Sequence, residues 1–391
     1  MAYKQYLLII ALLLSFGVVR AQMPDFQQTD STSQALFIAG DWRTLITYAD
    51  KTTSQGLDFP SLRLRAAYAR FMTGNYSGEL MQYQQVLKSD SYNPTARYMS
   101  MLCQSYLNRG INSSYQASFV DTTILNRENI NRFGLIDAGI ETSFKFPNTT
   151  LRGTGVYSRV SLSNRLGWRL QLEQSAAIYH QTISIAEFNN SQKFSFNNNQ
   201  FEYYAKLGYT ITGNLSLMGA YHFLNTKFGT DTYQNHIGFA GLKYAAPYFS
   251  VQADAQLGRL INLNQQQYNC EITVYPTGSL NLYTISRISA QSGEISGTIF
   301  SQRVGARAFK NCWIEGGANF GRMDNYLEAD ALYVYNAIDV TTFKAGGTLF
   351  YQFGRHLLAH ANYTFEQKEN YYNTNTNYQQ NSITGGLTWK F

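Results

Sequence analysis

Serine and histidine stand near one another twice in this chain, His180 with Ser184 and His222 with Ser216. A serine hydroxyl becomes a nucleophile when an imidazole within hydrogen-bond reach takes its proton. The spacing does not place either pair in reach, so a barrel-embedded lipid or glycan hydrolase is the third-ranked reading, and the chain reads first as a non-enzyme. His356 and His360, in RHLLAHANYT, are a second candidate. Four residues apart on a strand, they share a face with Asn362 and Thr364, but their Cα atoms lie ~13 Å apart. One metal ion does not bridge that gap, and neither a metal nor a cofactor is expected. The sequence contains no GxSxG, HExxH, P-loop lysine or CxxC. Gly153-Thr154-Gly155 is half of a dinucleotide fingerprint with no helix behind it. Cys103, Cys270 and Cys312 are odd in number and widely spaced, which excludes a disulfide framework and a zinc motif. A Cys270–Cys312 bridge stays open.

A larger set of charged residues lies on the polar faces of alternating segments: Arg169, Glu173, Glu202, Lys206, Asp254, Arg303, Arg307, Glu315 and Lys344. With His356 and His360 they are the residues expected to face the lumen of a barrel. Their signs are mixed, so they brace one another across the interior or select a solute. Arg303 and Arg307 share a face and would favour anions.

The elements that hold these residues have a period of two from about residue 135 onward. In YFSVQADAQL, Phe249, Val251, Ala253, Ala255 and Leu257 oppose Ser250, Gln252, Asp254 and Gln256. FEYYAKLGYTI and FKAGGTLFYQF repeat the alternation. These segments reach ~10 residues, the length that crosses a membrane at a tilt, whereas soluble strands average ~5–6. Tyrosine and phenylalanine cluster at their ends, as aromatic girdles do. Only 14% of residues are charged, against ~25% in soluble domains, which fits walls that face lipid.

Connections alternate short and long. SNRLG, TGN, AAPY, YPTGS, FKN and the turn at Gly354 are short; 183–199, TKFGTD, RLINLNQQQ, SAQSGE, 322–341 and EQKENYYNTNTNYQQ are long. This rhythm implies about fourteen strands, with 322–341 able to hold a further hairpin. The terminal segment GGLTWKF alternates too, with Trp389 and Phe391 on its apolar face. An aromatic last strand resembles the C-terminal signature that the assembly machinery of outer-membrane barrels reads. Closure of the last strand against the first would leave no unpaired edge in lipid.

At the other end, Lys4 precedes an apolar run over 7–19 and Val19-Arg20-Ala21 precedes Gln22, the pattern of a secretory signal peptide. Its removal takes Lys4 and Arg20 from 31 basic residues and leaves 29 against 25 acidic ones. The bases are scattered rather than clustered, which excludes nucleic acid as a partner. Gly40 and Gly74 are 34 residues apart, as are Pro60 and Pro94, and Gly110 follows Gly74 by 36. Between them LRLRAAYARFM and ELMQYQQVL carry apolar residues at helical spacing. This segment, about 33–110, resembles tetratricopeptide repeats, whose period is 34. Glu79 stands where that family places a small alanine.

The layout as a whole resembles the YaiO-type outer-membrane proteins and, more distantly, exopolysaccharide export porins. The expected organisation is α+β: a signal peptide over 1–21, a small TPR-like α-helical domain over 22–112, a linker over 113–133, and a transmembrane antiparallel β-barrel over 134–391. The resemblance implies an outer-membrane site with the repeats in the periplasm. Expected partners are outer-membrane lipid, the barrel assembly machinery, and a periplasmic protein or glycan bound by the repeats. Two functional readings lead: a channel or envelope-assembly component passing a polar solute or glycan, and a non-conducting anchor that recruits a periplasmic partner.

Overall fold

The structure is a computed structural model, and it describes residues 25–186, 193–336, 338–370 and 373–391. The signal peptide read over 1–21 lies outside the described residues.

Among the described residues seven helices come first: α1 (Phe26–Ala39), α2 (Trp42–Ser54), α3 (Pro60–Met72), α4 (Tyr76–Ser89), α5 (Pro94–Tyr106), α6 (Gly110–Ala117) and α7 (Thr122–Arg127). The starts of α1, α3 and α5 are 34 residues apart, and so are those of α2, α4 and α6. Asp25, Asp41, Asn75 and Asn93 cap four of these starts through side-chain oxygens, each satisfying an amide the helix cannot. The 34-residue mark is kept at the turns as well. Gly40 and Gly74 take left-handed backbone at φ 69° and 79°, and the third position is Asn108 at φ 56°, not Gly110, which opens α6. Asparagine is among the few side chains that tolerate this region. Within the stretch 113–133, read as a linker, lie the end of α6 and all of α7. Leu62, Ala66, Ala67, Leu80, Tyr83 and Ala96 fill the helical core.

The barrel wall has fourteen antiparallel strands: β1 (Phe133–Pro147), β2 (Gly155–Leu166), β3 (Leu170–Ala186), β4 (Lys193–Thr210), β5 (Leu215–Phe228), β6 (Asp231–Ala245), β7 (Phe249–Leu260), β8 (Leu263–Val274), β9 (Leu282–Gly293), β10 (Gly297–Phe309), β11 (Cys312–Met323), β14 (Val340–Phe353), β15 (Leu357–Asn370) and β16 (Asn373–Lys390). Each strand pairs with its neighbour along the chain, and β16 returns to β1 with Ala138 opposite Trp389. The ring is closed, so no backbone edge meets lipid. Between β11 and β14 lies a two-residue hairpin, β12 (Leu327–Glu328) and β13 (Tyr333–Val334), which is not part of the wall.

Apolar side chains cover the outside. Leu242, Leu257, Ile288, Val304 and Ile314 are each about half exposed, and all belong to the outward parity of their strands. Tyr209, Tyr244, Phe353 and Trp389 ring the short-turn edge, and Tyr221 toward the other edge bonds His236 at 2.7 Å. Tyr244 and His236 are eight positions apart on β6, ~27 Å of strand and ~20 Å along the normal at a tilt of ~40°. That matches the hydrocarbon thickness a barrel spans.

Five of the connections read as long are mostly strand; SAQSGE lies in β9 up to Gly293, and 183–199 belongs to β3 and β4 outside 187–192, which are not among the described residues. TKFGTD and RLINLNQQQ form tight hairpins, the second turning on Ile261 and Asn262 with both φ positive. Of EQKENYYNTNTNYQQ, residues 366–370 continue β15 and 373–380 continue β16. The sequence there is polar at nearly every position, so the alternation loses contrast. Outward pairs such as Thr182–Asn197 and Ser184–Ser195 extend the wall beyond the apolar belt.

Candidate functional site

Two constructions define the lumen. The first is the segment between β11 and β14, residues 324–339, which turns inward and crosses the interior. Its wall of origin and the wall it reaches are opposite in the strand order. At the tip, Leu327 and Ala331 pack on Met218, Leu224, Ile237, Phe239 and Leu260. These are inward residues of β5 to β7, and they form an apolar patch inside a polar lumen. Around the patch, Gln267 exchanges two hydrogen bonds with the Leu327 backbone, at 2.7 and 3.0 Å. The carbonyls of Asp330 and Ala331 accept from Tyr204 Oη at 3.0 Å and pair with His222 Nδ1 at 2.7 Å. Ala329, Asp330 and Ala331 all have positive φ, 53°, 59° and 66°. Three consecutive non-glycine residues in that region are costly, so the surrounding contacts hold this tip in place.

Ion pairs fasten the rest of the segment. The Asp330 carboxylate is 3.2 Å from Lys206 and accepts from Gln252 at 2.7 Å. Glu328 meets Lys344 at 2.9 Å and Tyr335 Oη at 2.7 Å. Tyr333 bridges Arg159 and Glu141. At the base, Arg152 grips both oxygens of Asp339, at 2.6 and 2.9 Å, with each side chain 3% exposed. Tyr378 donates to the same carboxylate at 2.8 Å.

Beside this segment a cavity of about 530 Å³ remains. Lys145, Arg152, Arg303, Lys344 and Lys368 line it together with Glu141, Glu202, Glu315, Glu328 and Glu366, among tyrosines, glutamines and asparagines. The two signs interleave, so the cavity offers hydrogen-bond donors and acceptors in all directions without a net field.

The second construction is the dock of the helices on the short-turn rim. Ser77 takes the Gly278 carbonyl through its amide at 2.9 Å and the Pro247 carbonyl through its hydroxyl at 2.6 Å. Asn112 donates to Gly213 O at 3.0 Å, Gln84 to Asn214 at 3.1 Å, and Arg165 to Ser114 at 2.9 Å. Arg109 lies 4.9 Å over the Tyr275 ring. Leu80, Cys103 and Leu107 pack on Tyr275. Four successive rim connections, between β2 and β3, β4 and β5, β6 and β7, and β8 and β9, thus carry the helical domain.

The sequence candidates distribute as follows. Glu173 and Lys206 pair at 3.3 Å, and Glu202 lies 3.3 Å from His222 Nε2. Asp254 is enclosed by Gln252, Gln256, Asn269 and Arg287. Arg303 sits between Glu271 and Glu315, 3.8 Å from each. Lys344 holds Glu328, and His360 is 3.3 Å from Glu141. Arg307 is at the mouth, stacked 5.7 Å from the Trp313 ring. Two expectations are corrected. Arg169 belongs to the turn before β3, where it lies 4.9 Å over Tyr115 of the helical domain. His356 does not share a face with His360, because β15 begins at Leu357 and the chain has left the sheet at Gly354, φ 59°. Its ring stacks on Trp389, and Nδ1 bonds the Lys390 carbonyl at 2.7 Å. Trp389 and Phe391 face outward, and the Phe391 amide donates to Ile136.

The serine–histidine pairs are not assembled. His180 bonds Asn199 and Ser184 bonds Ser195. His222 and Ser216 are six residues apart on β5, ~20 Å of strand. All three cysteines are free thiols, with Cys270 exposed and Cys312 buried, so the Cys270–Cys312 bridge does not form. Among the described residues no cluster of three metal-binding side chains occurs. Glu141, Arg159, Glu271 and Arg287 were missed as lumen residues, although strand parity places them inward. The crossing segment carries no periodic signal that could have announced it.

No family model matches the chain, and no curated relative matches it. Weak likenesses to solved barrels exist. The TodX deltaS2S3 mutant monoaromatic hydrocarbon channel shares 8% identity at a TM-score of 0.45, over 65% of this chain and 89% of its own. The Pseudomonas putida toluene transporter TodX shares 8% at 0.42, over 71% and 91%. The Acinetobacter baumannii outer membrane protein Omp33 shares 7% at 0.39, over 66% and 99%. At TM-scores of 0.39 to 0.45 they bear on neither cargo nor mechanism.

Proposed function

We propose that this chain is an outer-membrane protein of the YaiO type, with TPR-like helices in the periplasm and a gated lumen for a polar solute or glycan. The observation that carries the reading is the state of the interior. A fourteen-strand lumen is wider than the ~8-strand size that side chains fill, and it holds a polar cavity beside a segment fastened by reversible ion pairs. The orientation is supported by the dock, since short turns face the periplasm in such barrels. The 34-residue spacing of the helix starts supports the repeat assignment.

Single-channel recording of the full-length protein in bilayers tests this. Low or flickering conductance is expected from the parent. Asp330→Asn, which weakens the attachment to Lys206, is expected to raise the open fraction several-fold. Silence in both sinks the channel. The crossing segment and the capped rim favour one second reading, a non-conducting anchor whose helices recruit a periplasmic partner, and that silence is its signature.

A further inference from the structure

Among the described residues, one cation in the cavity beside the crossing segment has no counter-charge in reach. Lys145 of β1 lines that cavity, and neither an ion pair nor a hydrogen bond holds its ammonium. The ammonium rests 5.4 Å from the centre of the Tyr179 ring. Gly155 stands opposite Lys145 on β2, where a Cβ would come 3.0 Å from Tyr179 Oη, so the missing side chain lets the ring lie there. Every other lysine or arginine lining the cavity has a carboxylate within 3.9 Å. Every lining carboxylate has a base within the same distance. Glu366 lines the same cavity, but Gln380 donates to one of its oxygens at 2.6 Å and Lys368 stands 3.9 Å from the other.

A second donor stands beside Lys145 without an acceptor. Ser382 of β16 is directly opposite it across the seam. Ser382 lines the cavity, is 5% exposed, and its hydroxyl has no hydrogen-bond partner. Buried hydroxyls are normally paired. An ammonium with only a ring face beside it keeps most of its pull on an anion. Together the two select an oxyanion, which accepts from both. An acceptor is left over as well. Asn198 Oδ1, opposite Gln181 on β4, lines the same cavity without a donor, and it suits a hydroxyl. An oxyanion and hydroxyls on one molecule describe a sugar acid or a sugar phosphate. Neither a neutral sugar nor a bare cation would use all three groups.

We propose that Lys145 and Ser382 bind the carboxylate or phosphate of an acidic sugar in the lumen, with Asn198 accepting from one of its hydroxyls. The proposal deepens the channel reading, naming its solute as acidic, and rests on that reading for passage. The test is calorimetric titration of the full-length protein in nanodiscs with glucuronate, glucose 6-phosphate and glucose. At least one acidic sugar is expected to bind tenfold or more tighter than glucose, and which one does so tells a carboxylate from a phosphate. Lys145→Gln is expected to lose that preference and Lys145→Arg to keep it. Ser382→Ala is expected to weaken the acidic sugar several-fold and leave glucose unchanged. Lys310→Gln removes a charge from the turn between β10 and β11, outside the cavity, and is expected to bind like the parent. Heat-modified gel migration shows that each variant's barrel is closed; should Lys145→Gln fail to close, Ser382→Ala carries the test. The proposal is overturned if neither acidic sugar binds better than glucose, if Lys145→Gln or Ser382→Ala binds like the parent, or if Lys310→Gln loses as much as Lys145→Gln. Conductance without the acidic preference removes the site and keeps the channel. The preference with silent conductance does the reverse.

Discussion

In the helical domain the fully enclosed side chains include Leu45, Leu62, Ala67 and Leu80; in the barrel they include Gln256, Gln267, Asn235 and Ser289. The same chain buries oil in one region and amides in the other. The solvent outside explains the inversion. Water surrounds the helices and drives apolar groups inward, whereas lipid surrounds the wall and leaves polar groups only the interior. Each region has exceptions to its own rule, Gln104 and Ser100 in the helices and Ile299 in the barrel among them, and two are informative. The barrel encloses an apolar patch at Met218 and Phe239, and the helices enclose the Glu79 carboxyl, which faces Cys103 and Tyr83. Both exceptions sit where one part of the molecule meets another: the patch receives the tip of the crossing segment, and Glu79 lies one residue from Leu80 in the dock.

The largest expected effect comes from breaking the lumen's pairing rule. Arg152→Ala leaves the Asp339 carboxylate enclosed without its guanidinium, a loss of about 3–5 kcal/mol for a buried pair. The crossing segment should come loose, seen as new protease cleavage within 324–339 in an intact barrel. Unchanged cleavage would mean the remaining contacts suffice. Next, Leu242→Arg places a charge in the apolar belt, two residues from the Tyr244 girdle, where the cost lies between the ~2–4 kcal/mol of the midplane and the ~0–1 of the interface. Folded barrel should decline on semi-native gels, and normal folding would show that the belt lies elsewhere.

The smaller effect sharpens the helical side. Burial pushes the Glu79 carboxyl up to about 8 from an ordinary 4.5, against the weaker pull of Cys103 and Tyr83. The folded state therefore keeps a proton that the unfolded chain releases above about 4.5. Stability from this group is full below that pH, falls as pH rises toward 8, and is flat beyond. Glu79→Gln should flatten the pH dependence of helical melting between pH 5 and 8 and raise the melting temperature at pH 8. An unchanged profile would mean that the carboxyl reaches water.

Much of the wall was legible because lipid on one side and water on the other impose a strict alternation on YFSVQADAQL and its neighbours. The alternation faded where strands leave the belt, as in EQKENYYNTNTNYQQ, because water then bathes both faces. The third repeat was half hidden, since Asn108 does the work that glycine does at Gly40 and Gly74. In the crossing segment a further hairpin was legible within 322–341, but its path across the lumen was not. Its shape comes from partners scattered over at least nine strands, from Glu141 to Tyr378, and no local period records them.

The seam between β1 and β16 has a consequence in time. Asp137 lies opposite Lys390, 253 positions along the chain, and so distant a pairing forms slowly. Residues 324–339 precede β14, β15 and β16, the three strands that complete the ring. While the sheet is still open they have an unobstructed approach to Gln267 and the Met218 patch. After closure the same route would mean threading a charged hairpin through a finished cylinder, which chains rarely do. Late closure of the β1–β16 seam thus allows the barrier to be installed first and the wall sealed around it.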